Sequence, residues 1–290
     1  MKPHIAITTC QEQPIISSDD ALFIKSLKTL SPNLAVTITP WDQKQINWSD
    51  FDLILPRACW DYHEKFTLFT DWLSHLQNIN ASIWNPTRLL KWNSHKFYLD
   101  ELGKKGVKIL PTLFSSQQNP YDIADGFDFY NTDQLVFKPA VSAGARNTWV
   151  LDKNNLKNHS ALETHLKNND FLIQPYSQHL VTHGEFSFIF FNEKLSHVIR
   201  KTPKKGDFRS QPKFGSLITE ETNVSEAVHA QIIDILAHIP ENWLYARVDG
   251  IIKNNVFQLV ELELIEPCLF MDIPISPTHQ IFAQAVLEKL

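Results

Sequence analysis

The segment Gln258–Pro267, QLVELELIEP, concentrates more chemistry than any other stretch of the chain. Along a strand, neighbouring side chains point to opposite faces. Val260, Leu262 and Leu264 would therefore meet a core while Glu261 and Glu263 share the other face. Two carboxylates side by side repel, which makes them a poor choice for a purely structural surface unless a cation sits between them. The preceding run, ARVDGII, places Arg247 and Asp249 together on one face of a second strand. Antiparallel pairing across Lys253–Asn255 would bring Asp249 beside the glutamates. Oxygen ligands from Asp249, Glu261 and Glu263, with no nearby His or Cys, suit Mg²⁺. The plainer reading is an acidic edge facing water.

Other segments carry weaker signals. In Val136–Pro139 a lysine, Lys138, ends an apolar strand and is either solvated at its tip or aimed at a phosphate. The loop Ala140–Asn147 behind it has backbone N–H groups to offer an anion. In FLIQPY, an apolar strand runs into Gln174, Pro175 and Tyr176, where proline would stop sheet pairing and free backbone groups for a purine. LPRACWDY ends a strand of the N-terminal region, where open α/β sheets bind ligands. Arg57, Trp60, Asp61 and Tyr62 there supply a bidentate cation, flat rings and a carboxylate, and are expected to contact substrate. The alternative has Trp60 and Tyr62 packed and Arg57 paired with Asp61. Lys201, Lys204, Lys205 and Arg209 form a basic cluster, ordinarily a solvated hairpin. His179 and His183 lack the glutamate of a zinc helix and read as loop residues. Walker P-loop and GxGxxG patterns are absent.

The elements that must position these groups follow from periodicity. His4–Thr9, Ala35–Thr39, Phe51–Leu55 and Ala81–Trp84 read as strands. Helices lie between them, the first capped by Asp19 or Asp20 with Phe23, Leu27 and Leu30 inward, the next through Phe66, Phe69, Leu73 and Leu76. This βαβ pattern predicts a mostly parallel sheet, which Asn85-Pro86 interrupts. A short helix at Ser94–Leu102 and strands at Val107–Leu113 and Gln134–Lys138 follow. From Phe171 the texture becomes antiparallel. Glu185–Phe191 turns through Asn192-Glu193 into Leu195–Arg200. A helix capped by Asn223 with Glu226 buries Val228, Ile232, Leu236 and Ile239. Strands then run through Tyr245–Ile252 and Val256–Ile265, and a last helix from Ser276-Pro277 is buried through Phe282, Val286 and Leu290.

With 290 residues, 43% apolar and 20% charged, the chain has room for about two domains and no disordered tract. A formal charge of −5 argues against coating nucleic acid. The start MKPHIAITTC lacks a secretory signal, and no run approaches the roughly 18 apolar residues of a membrane span, so a cytoplasmic protein without a membrane partner is expected. Cys10, Cys59 and Cys268 are odd in number and widely spaced, which reads as small buried hydrophobes rather than a metal or disulfide framework.

The ordered series Lys96 (in NSHKFYLDEL), Lys138, Gln174–Tyr176, Glu185, Arg247, Asp249, Glu261 and Glu263 resembles the ATP-grasp ligases, in particular the glutathione synthetase and RimK-like branch. GDFRSQ…G at Gly206–Gly215 is similar to the phosphate-side hairpin of that family. The likeness runs from about Asn85 to the last residue. LPRACWDY, WNP and ELELIEP resemble the subgroup that includes the ring-closing ligase of cycloserine biosynthesis.

The resemblance implies an N-terminal parallel α/β domain (1–92) and two α+β subdomains (93–175 and 176–290) that enclose ATP with Mg²⁺, as two ions. Lys96 and Lys138 would contact phosphates, Lys201 would lie beside the triphosphate, Gln174–Tyr176 would line the adenine, and Glu185 would hold the ribose. Asp249, Glu261 and Glu263 would hold the metal, and Arg209 and Arg247 would stabilise the carboxylate being phosphorylated. The implied reaction joins small-molecule carboxylate and amine substrates, an amino acid or small peptide providing the acid, through an acyl phosphate. Intramolecular ring closure and a nucleotide sensor without turnover are its alternatives, and a homo-oligomer is left open. Glu263 stands where the family's site often has asparagine, Gly215-Ser216 where it often has two glycines, and the Lys138 loop is glycine-poor.

Overall fold

The computed structural model describes residues 2–155, 160–204, 207 and 214–290. The N-terminal layer comprises β1 (His4–Thr9), α1 (Ser18–Leu30), β2 (Ala35–Pro40), β3 (Leu53–Pro56) and α2 (Phe66–Asn78). Its strands pair in parallel in the order β2-β1-β3. β1 and β3 are almost wholly buried, which is why they read as unbroken apolar runs. The strand expected at Ala81–Trp84 reduces to one parallel bridge, Ile54 to Ile83. α1 is capped by the Ser17 side chain, which accepts from Asp20 N, and not by Asp19 or Asp20. Phe23 and Leu27 are buried there, but Leu30 is exposed.

Next come α3 (Thr87–Asn93), α4 (Tyr98–Lys104), β4 (Leu113–Ser115), α5 (Ile123–Tyr130), β5 (Gln134–Pro139), β6 (Trp149–Asp152), α6 (Ser160–Asn168) and β7 (Phe171–Pro175). The helix expected over Ser94–Leu102 is α4, which starts later and runs on through Gly103, and α3 precedes it as a separate helix. The strand expected over Val107–Leu113 is confined to β4 and a bridge from Ile109 to Leu259. These strands form a four-stranded sheet, β4-β7-β5-β6.

The C-terminal part holds α7 (Gln178–His183), β8 (Glu185–Phe191), β9 (Lys194–Thr202), β10 (Leu217–Glu220), α8 (Glu226–Ala237), β11 (Tyr245–Lys253), β12 (Val256–Glu263) and α9 (Thr278–Leu287). Its sheet runs β10-β9-β8-β11-β12, antiparallel throughout. His179 and His183 thus lie on a helix rather than a loop, with rings stacked 4.2 Å apart one turn from each other. α8 is capped by Ser225, not Asn223. Phe282 and Val286 of α9 are buried while Leu290 is exposed.

β8 is buried on both faces, because the sheet is sandwiched. Phe188 and Phe190 pack with Tyr98, Ile232 and Leu236 on one side. Ile189 and Phe191 pack with Phe23 of α1 and Phe282 of α9 on the other. The first helix of the chain therefore rests on α9, which packs on the C-terminal sheet.

The β11–β12 pair sets the site. Arg247 lies opposite Glu263 and Asp249 opposite Glu261, and then the register shifts at Asp249/Gly250. A Cβ at Gly250 would stand 2.5 Å from Gln258 O and press on the Phe257 ring. Backbone on one side and a core aromatic on the other leave no room to yield. Gly250→Ala should therefore cost about 2–3 kcal/mol through overpacking. Denaturant unfolding checks this, and an unchanged midpoint would contradict the packing account.

Candidate active site

A cavity of about 960 Å³ opens where the three sheets meet. β5 contributes Val136 and Lys138, β7 contributes Gln174 and Pro175, and Tyr176 follows. Glu185, Lys201, Arg247, Asp249, Glu261 and Glu263 come from the C-terminal sheet, and Lys96 precedes α4. The strand pairing forecast from ARVDGII and ELELIEP places these charges on one wall.

Inside the wall, Arg247 bridges two acids. Its Nη2 lies 2.9 Å from Asp249 Oδ2 and makes a close ion pair with Glu263, while Nη1 donates to Cys268 O at 2.9 Å. Lys201 Nζ is 2.8 Å from Glu185 Oε2 and 3.1 Å from Asp249 Oδ2. Ser187 Oγ donates to Asp249 Oδ1 at 2.6 Å. Burial pushes the Asp249 carboxyl up, yet Arg247 and Lys201 outweigh it and hold it down to about 2. Glu263 goes the other way, to about 7. Burial and the charges of Glu261 and Asp249 together exceed the pull of Arg247.

Lys96 Nζ sits 3.1 Å from Glu261 Oε1 and donates to Ser142 O at 2.5 Å, tying the loop after β5 to the acidic strand. Lys138 has no ion-pair partner among the described residues, and burial lowers its pKa. An amine whose charge is disfavoured by burial, and only partly favoured by Glu261 and Glu185 without an ion pair, is well placed to receive an anion.

No group of three Asp, Glu, His or Cys side chains among the described residues is close enough to hold a metal ion. The expected carboxylate trio is therefore not a ready-made cage, because Asp249 is engaged with Arg247, Lys201 and Ser187. Mg²⁺ is commonly bound through one or two carboxylates together with substrate phosphates and waters. The pair Glu261 and Glu263, on one face of β12 and both in the cavity wall, fits that mode.

Pro175 does not end sheet pairing as expected. It pairs with Leu135, and Tyr176 N donates to Gln134 O at 3.0 Å. Gln174 Nε2 donates to Thr112 Oγ1, and Leu110, Val136 and Leu180 give this end an apolar lining.

The LPRACWDY segment divides. Trp60 and Tyr62 line the cavity; Arg57 and Asp61 do not. Arg57 is buried, 2.8 Å from Asp20 Oδ1, donates to Pro267 O at 2.8 Å, and lies over the Tyr245 ring at 5.2 Å. Asp61 is held by Trp41 Nε1 and Lys65 Nζ, not by Arg57. β3 ends one residue before Arg57, and the side chain turns back toward α1 and α9 rather than to the sheet's open end. The cavity reaches instead to His63, Glu64, Gln13, Ser17, Glu266 and Cys268. None of these was expected, although two continue the WDY run and Glu266 stands within ELELIEP. Glu64 pairs with Arg146 across the cavity mouth. Cys268 is exposed, unlike the buried Cys10 and Cys59. Arg209 and Lys205, with the GDFRSQ motif except Asp207, lie outside the described residues.

Fold and wall together define the class: the chain has the fold of the ATP-grasp ligases. Residues 5–85 match the family model described as the N-terminal domain of D-cycloserine synthetase DcsG. The cycloserine biosynthesis protein DcsG of Streptomyces lavendulae is 24% identical over 177 residues, 58% of this chain and 58% of that protein. The chain thus aligns with less than two thirds of that relative's length. The crystal structure of D-cycloserine synthetase DcsG superposes with a TM-score of 0.84 at 22% identity, covering 99% of each chain. D-alanine–D-alanine ligase from Bacillus anthracis, complexed with ATP, gives 0.69 at 14% identity over 99% of this chain and 97% of that one. The ATP-grasp ligase PsnB, complexed with a precursor variant, Mg and ADP, gives 0.65 at 13% over 100% and 99%. The family-model match falls on the N-terminal layer, the part whose sequence was least like the wider family.

If Arg57 is an internal strut, Arg57→Leu leaves Asp20 buried beside Asp19 without its cation. The cost should be about 3–5 kcal/mol, read as a drop in the denaturant midpoint. A normal midpoint combined with selective loss of a ligand would contradict the structural role.

Proposed function

We propose that this chain is a Mg-ATP-dependent carbon–nitrogen ligase. The carrying observation is the buried wall on which Lys96, Lys138 and Lys201 face Glu261, Glu263 and Asp249 in one cavity. Cations set against paired carboxylates are what phosphoryl transfer requires, since the protein contributes mainly positioning and charge there. Two ions held chiefly by Glu261 and Glu263 would neutralise developing phosphate charge.

In this reading Lys138 and Lys96 bind phosphate oxygens, and Lys201 turns from Asp249 toward the triphosphate, which frees Asp249 for the metal. Gln174, Pro175 and Tyr176 flank the adenine, and Glu185 the ribose. Arg247, with Arg209, steadies the acid. A carboxylate oxygen takes the γ-phosphoryl group, ADP departs, an amine attacks the acyl carbon, and phosphate leaves as the amine loses a proton. Trp60 and Tyr62 face the substrate, and the loop after β5, pinned through Ser142 to Lys96 and through Arg146 to Glu64, keeps water from the acyl phosphate. The division at 1–92, 93–175 and 176–290 belongs to the same reading.

Between joining two molecules and closing a ring within one, the match to a cycloserine-forming relative over 99% of both chains favours ring closure. An amino acid whose side chain ends in a nucleophilic nitrogen would serve as both acid and amine.

Purified protein with Mg-ATP should release ADP only when offered a suitable acid, from pools of amino acids, dipeptides and ureido or aminooxy acids. Glu261→Gln should reduce that release by a factor of at least ~100 without altering the fold. Near-wild-type turnover in the variant would remove Glu261 from the metal site.

A further inference from the structure

Glu266 sits three positions beyond Glu263, in the segment leaving β12, and forms part of the cavity wall. Its backbone is clamped on both sides. Tyr245 Oη lies 2.8 Å from Ile265 O, and Arg57 Nη2 donates to Pro267 O at 2.8 Å. Asn85 Nδ2 donates to Leu264 O at 2.7 Å one residue earlier. Such a rigid mount is wasted on a side chain that merely faces solvent.

The side chain itself is unmatched. Glu266 Oε2 is shut off from water and has no hydrogen-bond partner. The two guanidinium groups that feel its charge make their hydrogen bonds elsewhere. Arg57 serves Asp20 and Pro267 O while its Nη1 has no partner; Arg247 serves Asp249, Glu263 and Cys268 O. The acids around it, Glu263 and Asp20, add negative potential. Tyr62, the aromatic of the substrate end, feels Glu266 more strongly than Glu261 or Glu263. A half-buried carboxylate with one occluded, unpartnered oxygen is costly alone and attracts a cation that brings hydrogen-bond donors of its own. Mg²⁺ is the poorer fit, because it needs a near-octahedral oxygen shell and Glu266 is a single carboxylate with one oxygen occluded. A primary ammonium asks only for a few acceptors around one nitrogen.

We propose that Glu266 is a specificity residue that receives the protonated primary amine of the substrate, so that the acid activated in this cavity is an amino acid and not a simple carboxylate. The inference rests on the ligase reading above and assigns the residue that selects its amino-acid substrate. It also assigns Arg57 a positioning role, since that side chain fixes the carbonyl next to Glu266 from behind.

The test uses matched acids: 2-amino acids with aliphatic, ureido or aminooxy side chains, and the same acids without the 2-amino group. ADP release by the wild type should require the amine. Glu266→Gln should lower kcat/KM for the preferred amino acid by roughly 10- to 100-fold, chiefly through KM, with Glu266→Asp recovering part of the loss. Its ATP affinity should be unchanged and its melting temperature no lower than wild type, because an unmatched buried charge has been removed. Amino-free acids used within threefold of their amino counterparts would overturn the proposal while leaving the ligase intact. So would a Glu266→Gln protein that loses Mg-ATP binding, or one that melts early with unaltered KM. Release of ADP with no acid of either set would overturn the ligase reading and this proposal together.

Discussion

Arg247 makes the acidic wall tolerable. Asp249, Glu261 and Glu263 stand on adjacent strands, and strand pairing sets Asp249 against Glu261 and Glu263 against Arg247 itself. Without a cation between them, burial would force one or more of these carboxyls to take up protons. The guanidinium sits between Asp249 and Glu263, Lys201 shares Asp249 Oδ2 with it, and Lys96 takes Glu261. The wall is therefore close to balanced in the free protein. Its pairs are also exchangeable, because a triphosphate with its metal ions offers the lysines and the glutamates stronger partners than each other. Under the proposed function, the site would be stable when free and would re-sort its ion pairs on binding.

That balance needs the end of β12 to be held still, and the N-terminal layer holds it. Asn85 donates to Tyr245 O and Leu264 O and accepts from Leu244 N and Tyr245 N, so the polar atoms of one buried amide are spent on β11, the residue before it and the residue that follows β12. Asn93 brackets the next step, donating to Leu262 O and accepting from Leu264 N. Arg57 closes the series at Pro267. The side chains of residues 264 and 265 then fall into different cores, Leu264 with the C-terminal sheet and Ile265 with the N-terminal layer. The layers are thus joined by hydrogen-bonded polar groups at the seam and by aromatic packing of α1 on α9 and of α9 on β8. The strand that carries the chemistry is the shared edge.

What could be read from the residues alone was the wall. Alternation in VELEL and ARVDG specifies which side chains share a face, and only the antiparallel hairpin lets them meet. The elements missed are α3, α5, β6, α6, α7 and β10, and some of them have no periodic signal. α3 has only seven residues and follows Pro86, and α7 is six residues with no buried face, so neither shows a hydrophobic stripe. Asn85-Pro86 reads as a breaker because breakers and buried hubs use the same residue types; which one it is depends on partners about 160 to 180 positions away. Arg57 was misassigned for a related reason. A guanidinium at a strand end suits a ligand carboxylate as well as a protein one, and only the fold shows that Asp20 already occupies it. Glu266 was in view and not singled out, since its distinction is the absence of a partner.

The central claim is that this wall exchanges its internal ion pairs for Mg-ATP. Isothermal titration with Mg²⁺ and a non-hydrolysable ATP analogue tests that directly, in wild type and in Lys138→Gln. The account predicts saturable binding at one site, weakened about tenfold or more when the unmatched lysine is neutralised. Absence of nucleotide binding, or binding that is indifferent to Lys138, would contradict it.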